Sequence, residues 1–366
     1  MKIIKNLFAE NKVMAILISG LLGIILLLII IFGIVGCVNG GKLTPAKLED
    51  KMLESAAKYY NQNPSELPNA EGSEVSVTLE TLIEKGYIKP LEKIIDISCT
   101  GNVVVKKNGE NHALYPNLIC GETYKTKRLV PDLIKNIITV GEGLYETTTD
   151  YYYKGEYVNN YVTFANTNWR IVSINKGGNI RLVKSTPENK SYAYDNRYNI
   201  ETSKYTGINT YTTSRLKETL TALYAVGKES FDERTLKQLV AHDMCIAKRD
   251  INDKRIDKAV DCSEVEENQF ISIPHISEYY RASNDINCTS INRGTCTNYN
   301  YYSKIVRGSW SSNPSSANSY EVFLMTYRPD ETNSKNDIQM VIELDGKTTY
   351  ISGDGTSTSP YIIDSN

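Results

Sequence analysis

The mixed hydrophobic and polar pattern of the 366-residue chain is broken once. From Val13 to Val35 every position is apolar, Ser or Gly, and none is charged. A helix rises about 1.5 Å per residue, so this run is long enough to cross a hydrocarbon core of about 30 Å. Its interior, Ile24 to Ile31, offers no polar face to water. The pattern predicts a short stub over 1–12, a transmembrane anchor over 13–36 and one long polar body behind them.

The first part of that body, 42–122, has the pattern of a helix followed by strands. Thr44-Pro45 is suited to open a helix, with Thr as the cap and Pro at the first helical position. Leu48, Met52, Ala56 and Tyr59 then share a face, with Leu53 and Tyr60 beside it. Val75 to Leu79 alternates like a strand, and Glu80 to Lys85 forms a helical turn closed by Gly86. A hairpin pattern runs from Val103 to Ile119. A turn at Gly109-Glu110 places Cys99 opposite Cys120, while a turn at Asn108-Gly109 needs a bulge to do so.

A connector over 123–150 carries one helical turn, Pro131 to Ile138, and a larger body occupies 151–366. There Tyr161–Phe164, Trp169–Ile174 and Ile180–Val183 alternate as strands, the last two about a turn at Lys176-Gly177-Gly178. Residues 214–226 form a helix capped by Ser214, with Leu216, Leu220, Leu223 and Tyr224 on one face. A second helix, capped by Asp232, carries Phe231, Leu236, Leu239 and Val240. Gln269–Ile273 is a strand, 283–318 is a set of loops, and 321–325, 340–344 and 349–351 are closing strands. The fold class expected is α+β: an anchor, a small helix-plus-antiparallel-sheet module and a larger β-rich body.

Charge and cysteine content add a compartment. Lys and Arg number 41 against 43 Asp and Glu, for a net charge of −2, which gives no basic surface for nucleic acid. Six of the seven cysteines follow the anchor, in neighbouring couples: Cys99 with Cys120, Cys245 with Cys262, and Cys288 with Cys296. None has the C-x-x-C spacing of zinc or redox sites, and an even set of local couples suits disulfides in an oxidising place. Together with Lys2, Lys5 and Lys12 before the span, this predicts a single pass of the plasma membrane with the C-terminal body outside. The bilayer is then the partner of residues 13–36. The seventh cysteine, in Ile34-Val35-Gly36-Cys37, matches a bacterial lipobox, so the alternative is a lipoprotein anchored at Cys37. The span is longer than the roughly 7–15 apolar residues of a signal peptide, which favours the uncleaved helix.

Ala56-Ala57-Lys58-Tyr59-Tyr60, Thr78-Leu79-Glu80-Thr81-Leu82-Ile83 and the Cys99/Cys120 hairpin make 42–122 resemble the globular segments behind prepilin-like helices. No prepilin cleavage site precedes the span. The larger body resembles uncharacterised membrane-anchored surface proteins of Gram-positive gut bacteria. The matching stretches are Asn160-Tyr161-Val162-Thr163-Phe164, Trp169-Arg170-Ile171-Val172, Ile276-Ser277-Glu278-Tyr279 and the tail Ser352-Gly353-Asp354-Gly355-Thr356. That group is in turn distantly similar to C-type-lectin-like and formylglycine-generating-enzyme-like folds. Where its members carry a Trp and an Arg-Pro, this chain has Asn209-Thr210-Tyr211 and Gln339-Met340.

Catalytic signatures are absent from the sequence. His112, His242 and His275 are the three histidines, with no H-E-x-x-H, G-x-S-x-G, P-loop or Rossmann pattern. His242-Asp243 precedes Cys245, but a disulfide to Cys262 is the simpler use of that thiol. The acidic run Asp250 to Glu267 has Arg255 where a calcium loop needs Gly, and its interleaved basic residues suit a solvated, self-neutralised loop. Trp169 fits a core strand. Trp310, between Gly308-Ser309 and Ser311-Ser312, is expected to be exposed and is the one candidate ligand contact. No catalytic, cofactor or metal residues are assigned, and no enzymatic role is expected. The sequence supports a surface binding or adhesion module for a glycan, a wall polymer or an extracellular protein. A structural part of an envelope or pilus-like assembly is the alternative, and an extracellular enzyme ranks third.

Overall fold

A computed structural model describes residues 42–363 except 109–110, 189, 231–232 and 307. The stub, the apolar stretch 13–36, Cys37, the Gly109-Glu110 turn and the Phe231-Asp232 helix start lie outside the described residues. Among those described, no helix is long and apolar enough to cross a membrane. The protein is α+β with a larger β-rich body, and its contacts divide it into two compact units.

The smaller unit takes in 42–59, Val77–Asn102 and Pro116–Lys125. The helix Pro45–Gln62 starts where Thr44 Oγ1 accepts the Lys47 N–H at 3.3 Å. Its Leu48, Met52 and Ala56 are wholly buried, and Tyr59 meets the Tyr87 ring edge-on at 5.6 Å. Thr78 caps the short helix Leu79–Glu84 by accepting the Thr81 N–H at 3.0 Å. The hairpin strands are Cys99–Asn108 and Asn111–Cys120, and a disulfide joins Cys99 to Cys120. The amide of Asn117 reaches Asn102 Oδ1 at 3.2 Å, which fixes the same register in which Cys99 faces Cys120. Gly101 belongs there because a Cβ would run into the Asn117 carbonyl oxygen.

The larger unit comprises Tyr60–Ser76, Val103–Tyr115 and Thr126–Asn366. Its main sheet sets Leu239–Val240, Val341–Leu344, Ile180–Lys184, Thr167–Asn175, Tyr161–Phe164, Tyr361–Ile363 and Tyr350–Ser352 side by side. Gly143–Glu146 and Asp150–Lys154 extend it, the latter pairing with Thr167–Asn175. The central strand Thr167–Asn175 is buried from Trp169 through Ile174, so both its faces are covered. Trp169 lies in this core as its strand pattern predicts, donating its indole N–H to the Phe164 carbonyl at 3.2 Å.

Four expectations are corrected here. Of the segment assigned as a connector, residues 126–150 fall in the larger unit: Leu129, Leu133 and Leu144 are in its core, and Gly143–Glu146 is one of its strands. Leu239 and Val240 form a strand beside Val341–Leu344, because the second helix stops at Gln238. The strand near Gln269 is Val265–Gln269, paired with His242–Cys245. Within 283–318, Ser303–Val306 is helical and Trp310–Pro314 is a strand paired with Glu321–Leu324.

That last pairing overturns the exposure expected of Trp310. Its side chain is fully buried, donates to the Tyr192 carbonyl at 2.8 Å and meets Tyr194 edge-on at 5.8 Å. It centres a second core with Tyr211, Leu216, Leu220 and Val322. The flanking Gly and Ser residues had suggested an exposed loop, but Ser309, Ser311 and Ser312 are all buried beside it. Trp310→Ala is therefore expected to lower the unfolding free energy by about 3–5 kcal/mol. A denaturant titration measures this, and a loss below roughly 1 kcal/mol would contradict the packing described.

Candidate functional site

The larger unit holds two groupings of polar side chains, one sealed and one open. The sealed one begins at Arg249 and Asp261, both fully buried, which pair at 2.5 Å. The second Asp261 oxygen takes the Ser277 N–H at 2.6 Å and lies 3.0 Å from His275 Nδ1. His275 Nε2 is 3.3 Å from Glu278, which also pairs with Arg181 and accepts the Tyr302 hydroxyl at 3.2 Å. Arg181 reaches Glu343 at 3.5 Å, extending this chain of buried polar contacts. Beside it, Arg281 grips Asp150 through two bonds of 2.7 and 3.0 Å.

Burial and pairing oppose each other throughout this chain. Burial would raise the Asp261 carboxyl, but the bond to His275 and the charge of Arg249 bring it down to about 2. Glu278 is likewise held below its ordinary value, burial being outweighed by Arg181 and His275. Glu343 goes the other way, raised by burial that Arg181 and Lys258 only partly offset. Two carboxyls shifted apart about one arginine resemble an acid–base pair. The adjoining cavity, lined by Asp150, Lys258, His275 and Glu278 among others, is about 10 Å³, room for one water at most. This chemistry fits a structural ionic core.

The candidates singled out along the sequence fall around that core. Cys245 and Cys262 form a disulfide, and Cys288 and Cys296 another, so all three expected couples are joined. Cys245, Cys262 and His275 cluster closely enough to hold a metal, but the disulfide leaves no thiolate and both His275 nitrogens face carboxylates. His242 is buried with Nε2 at 2.7 Å from Ser272 Oγ, and is no base for Cys245. The acidic run is self-neutralised at Asp253–Arg255, and Asp257 caps the turn Lys258–Asp261. Its Asp261 departs from expectation by turning inward. Nothing in the local spacing marks Asp261 or Arg249 as buried, since both sit among similar exposed charges.

The open grouping is a cleft of about 560 Å³, within the range of small-ligand sites, lined by Tyr279, Arg293, Thr297, Gly308, Leu324, Thr326 and Arg328. Leu324 and Arg328 face each other across the turn joining Glu321–Leu324 to Arg328–Glu331. That turn ends at Tyr327, whose φ of 57° is uncommon for a bulky residue. Its ring stacks on Phe323 at 4.6 Å, and its hydroxyl donates to the Asp250 carbonyl at 2.7 Å. Arg293 sits in the loop closed by the Cys288–Cys296 disulfide, where Asn292 Oδ1 accepts the Gly294 N–H at 2.8 Å. Asn300 ties this loop to the helix Ile276–Arg281, donating at 2.8 Å to the Tyr279 and Cys296 carbonyls. Sequence reasoning singled out neither arginine, because the two are joined only by the tertiary fold.

No protein-family model, no curated protein and no solved structure matches this chain.

Two consequences of the buried charges are measurable. Asp261→Asn strands Arg249 beside a neutral amide and should cost about 3–5 kcal/mol in a denaturant titration at neutral pH. Burial first, and then the Arg181 charge, pull the His242 imidazole from its ordinary 6.5 down to about 3. Across that window the unfolded chain binds a proton that the folded chain refuses, so stability falls as pH is lowered, by at most about 1.4 kcal/mol per unit. Asp261 continues the loss below pH 4, where its carboxylate contribution disappears toward about pH 2. His242→Gln should flatten the dependence of the unfolding midpoint between pH 6.5 and 3. An unchanged slope would remove His242 as its source.

Proposed function

We propose that the chain is an extracellular binding protein, anchored through residues 13–36 and displaying its larger unit, whose open cleft takes the ligand. The observation that carries this reading is the cleft itself. It has a small-ligand volume, guanidinium and hydroxyl groups on its walls, and supports that hold those walls in place. A left-handed Tyr327 between Thr326 and Arg328 adds weight, because strained backbone persists where function needs a side chain aimed. Three disulfides support an oxidising compartment. The resemblance to surface proteins with C-type-lectin-like bodies is consistent with a non-enzymatic binder of a glycan, a wall polymer or an extracellular protein.

The test uses the whole oxidised chain in mild detergent, screened against immobilised glycans, peptidoglycan and teichoic-acid fragments, and extracellular-matrix proteins. A saturable partner should be retained, and Thr326→Trp, which fills the cleft, should weaken it at least about tenfold, or 1.4 kcal/mol. A partner bound equally well by Thr326→Trp would place recognition elsewhere and overturn the cleft as the site.

A further inference from the structure

The arginines of the larger unit whose side chains are described divide in a way that bears on what the cleft binds. Arg181, Arg197, Arg215, Arg249, Arg255 and Arg281 each pair with a carboxylate. Arg170 is held by Asn160 and lies over the Tyr161 ring at 3.6 Å, and Arg128 donates to the Lys347 carbonyl at 3.1 Å. Arg293 and Arg328 are different. Both are exposed, and neither side chain has a hydrogen-bond or ion-pair partner among the described residues. Both line the same cleft, and none of its described lining residues is acidic.

From this division we infer that the cleft is an anion site in which Arg293 and Arg328 clamp one acidic group or two neighbouring ones of a ligand. The inference rests on the reading of the cleft as the ligand site and gives that ligand a chemical class. Guanidinium presents donors in a planar fork that matches the oxygens of carboxylate, phosphate and sulfate. Two like charges facing one space raise its potential, and an arriving anion relieves their repulsion. Thr326 adds a hydroxyl that can donate to a ligand oxygen, whereas the Thr297 hydroxyl already donates to the Arg293 carbonyl at 2.7 Å. The wall at Gly308 fronts open space, since a Cβ there would meet nothing within 4 Å. The backbone that carries Arg293 is tied by the Cys288–Cys296 disulfide and that of Arg328 by the Tyr327 turn, so the ordering cost of gripping a ligand falls on the two side chains.

Carboxylate, phosphodiester and sulfate share this oxygen chemistry, and three probes separate them: an oligogalacturonate, a glycerol-phosphate oligomer and a heparin hexasaccharide, with dextran as the neutral comparison. Binding to the full oxidised chain in detergent is followed by calorimetry at two salt concentrations. At least one anionic probe should bind with an affinity that falls as salt rises. Arg293→Ala and Arg328→Ala should each weaken it about tenfold, the double variant should abolish it, and Lys190→Ala, outside the cleft, should leave it unchanged. Arginine-to-lysine variants at both positions should recover only part of the affinity, because lysine lacks the fork. Equal losses for Lys190→Ala and the arginine variants would reduce the effect to general charge attraction and overturn the inference, as would failure of every anionic probe at millimolar concentration. If dextran or another neutral ligand binds, is blocked by Thr326→Trp and ignores both arginine variants, the anion assignment fails while the cleft stands. If an anionic probe binds and Thr326→Trp leaves it untouched, the cleft reading itself fails.

Discussion

Much of the larger unit depends on one constraint: the charges of Arg249, Asp261, Glu278 and Arg181 are out of water and must be matched by one another. Each ion buried alone would cost several kcal/mol, and each pair recovers that only when its geometry is complete. The chain of contacts is therefore close to all-or-none. It draws together the Lys258–Asp261 turn, the helix Ile276–Arg281 and the strands Ile180–Lys184 and Val341–Leu344. None of these pieces is long enough to be stable alone, and a six-residue helix is far below the length that sustains itself in water. Their positions are set by the side chains that bridge them.

The helix Ile276–Arg281 carries that constraint outward. Glu278 faces the ionic core and accepts the His275 backbone N–H at 3.3 Å, while Arg281 at the helix end holds Asp150. Tyr279, one residue beyond Glu278, lines the cleft, and its carbonyl receives Asn300 from the base of the disulfide loop. The core thus fixes a helix, the helix fixes the loop, and the loop carries Arg293. On the other wall, Phe323 and the Tyr327 hydroxyl contacts hold the turn that precedes Arg328. A binding site is precise when the groups behind it are locked, and both walls here meet that requirement.

What the sequence made legible follows from how local each determinant is. The helix from Pro45, the Thr78 and Ser214 caps and the three cysteine couples depend on neighbours along the chain, and each is present. Gly and Ser beside Trp310 predict a loop, whereas Ser311 donates to the Phe323 carbonyl and lies within a paired strand. Leu239 and Val240 continue a helical apolar period, yet the edge of the main sheet takes them as a strand, a case of tertiary pairing overriding periodicity. Arg249 and Asp261 could not be read as buried, since burial of a charge is decided by a partner's position in space. The cleft was illegible for the same reason, its arginines lying in separate loops that nothing in the spacing relates.

Matched and unmatched cations then have different physical meanings. Inside, a guanidinium stripped of its partner costs several kcal/mol, so stability alone accounts for the pairing at Arg181 and Arg249. At the cleft no such demand exists: Arg293 and Arg328 are solvated, and removing either would relieve repulsion at little cost to the fold. Folding therefore gives no reason for two arginines to share that space, still less for supporting each with a disulfide loop or a left-handed turn. Local features that work slightly against stability, and are nevertheless held firmly in place, mark sites shaped by something other than folding. For paired positive charges on an open cleft of small-ligand size, the anion proposed above is the partner that would resolve the conflict.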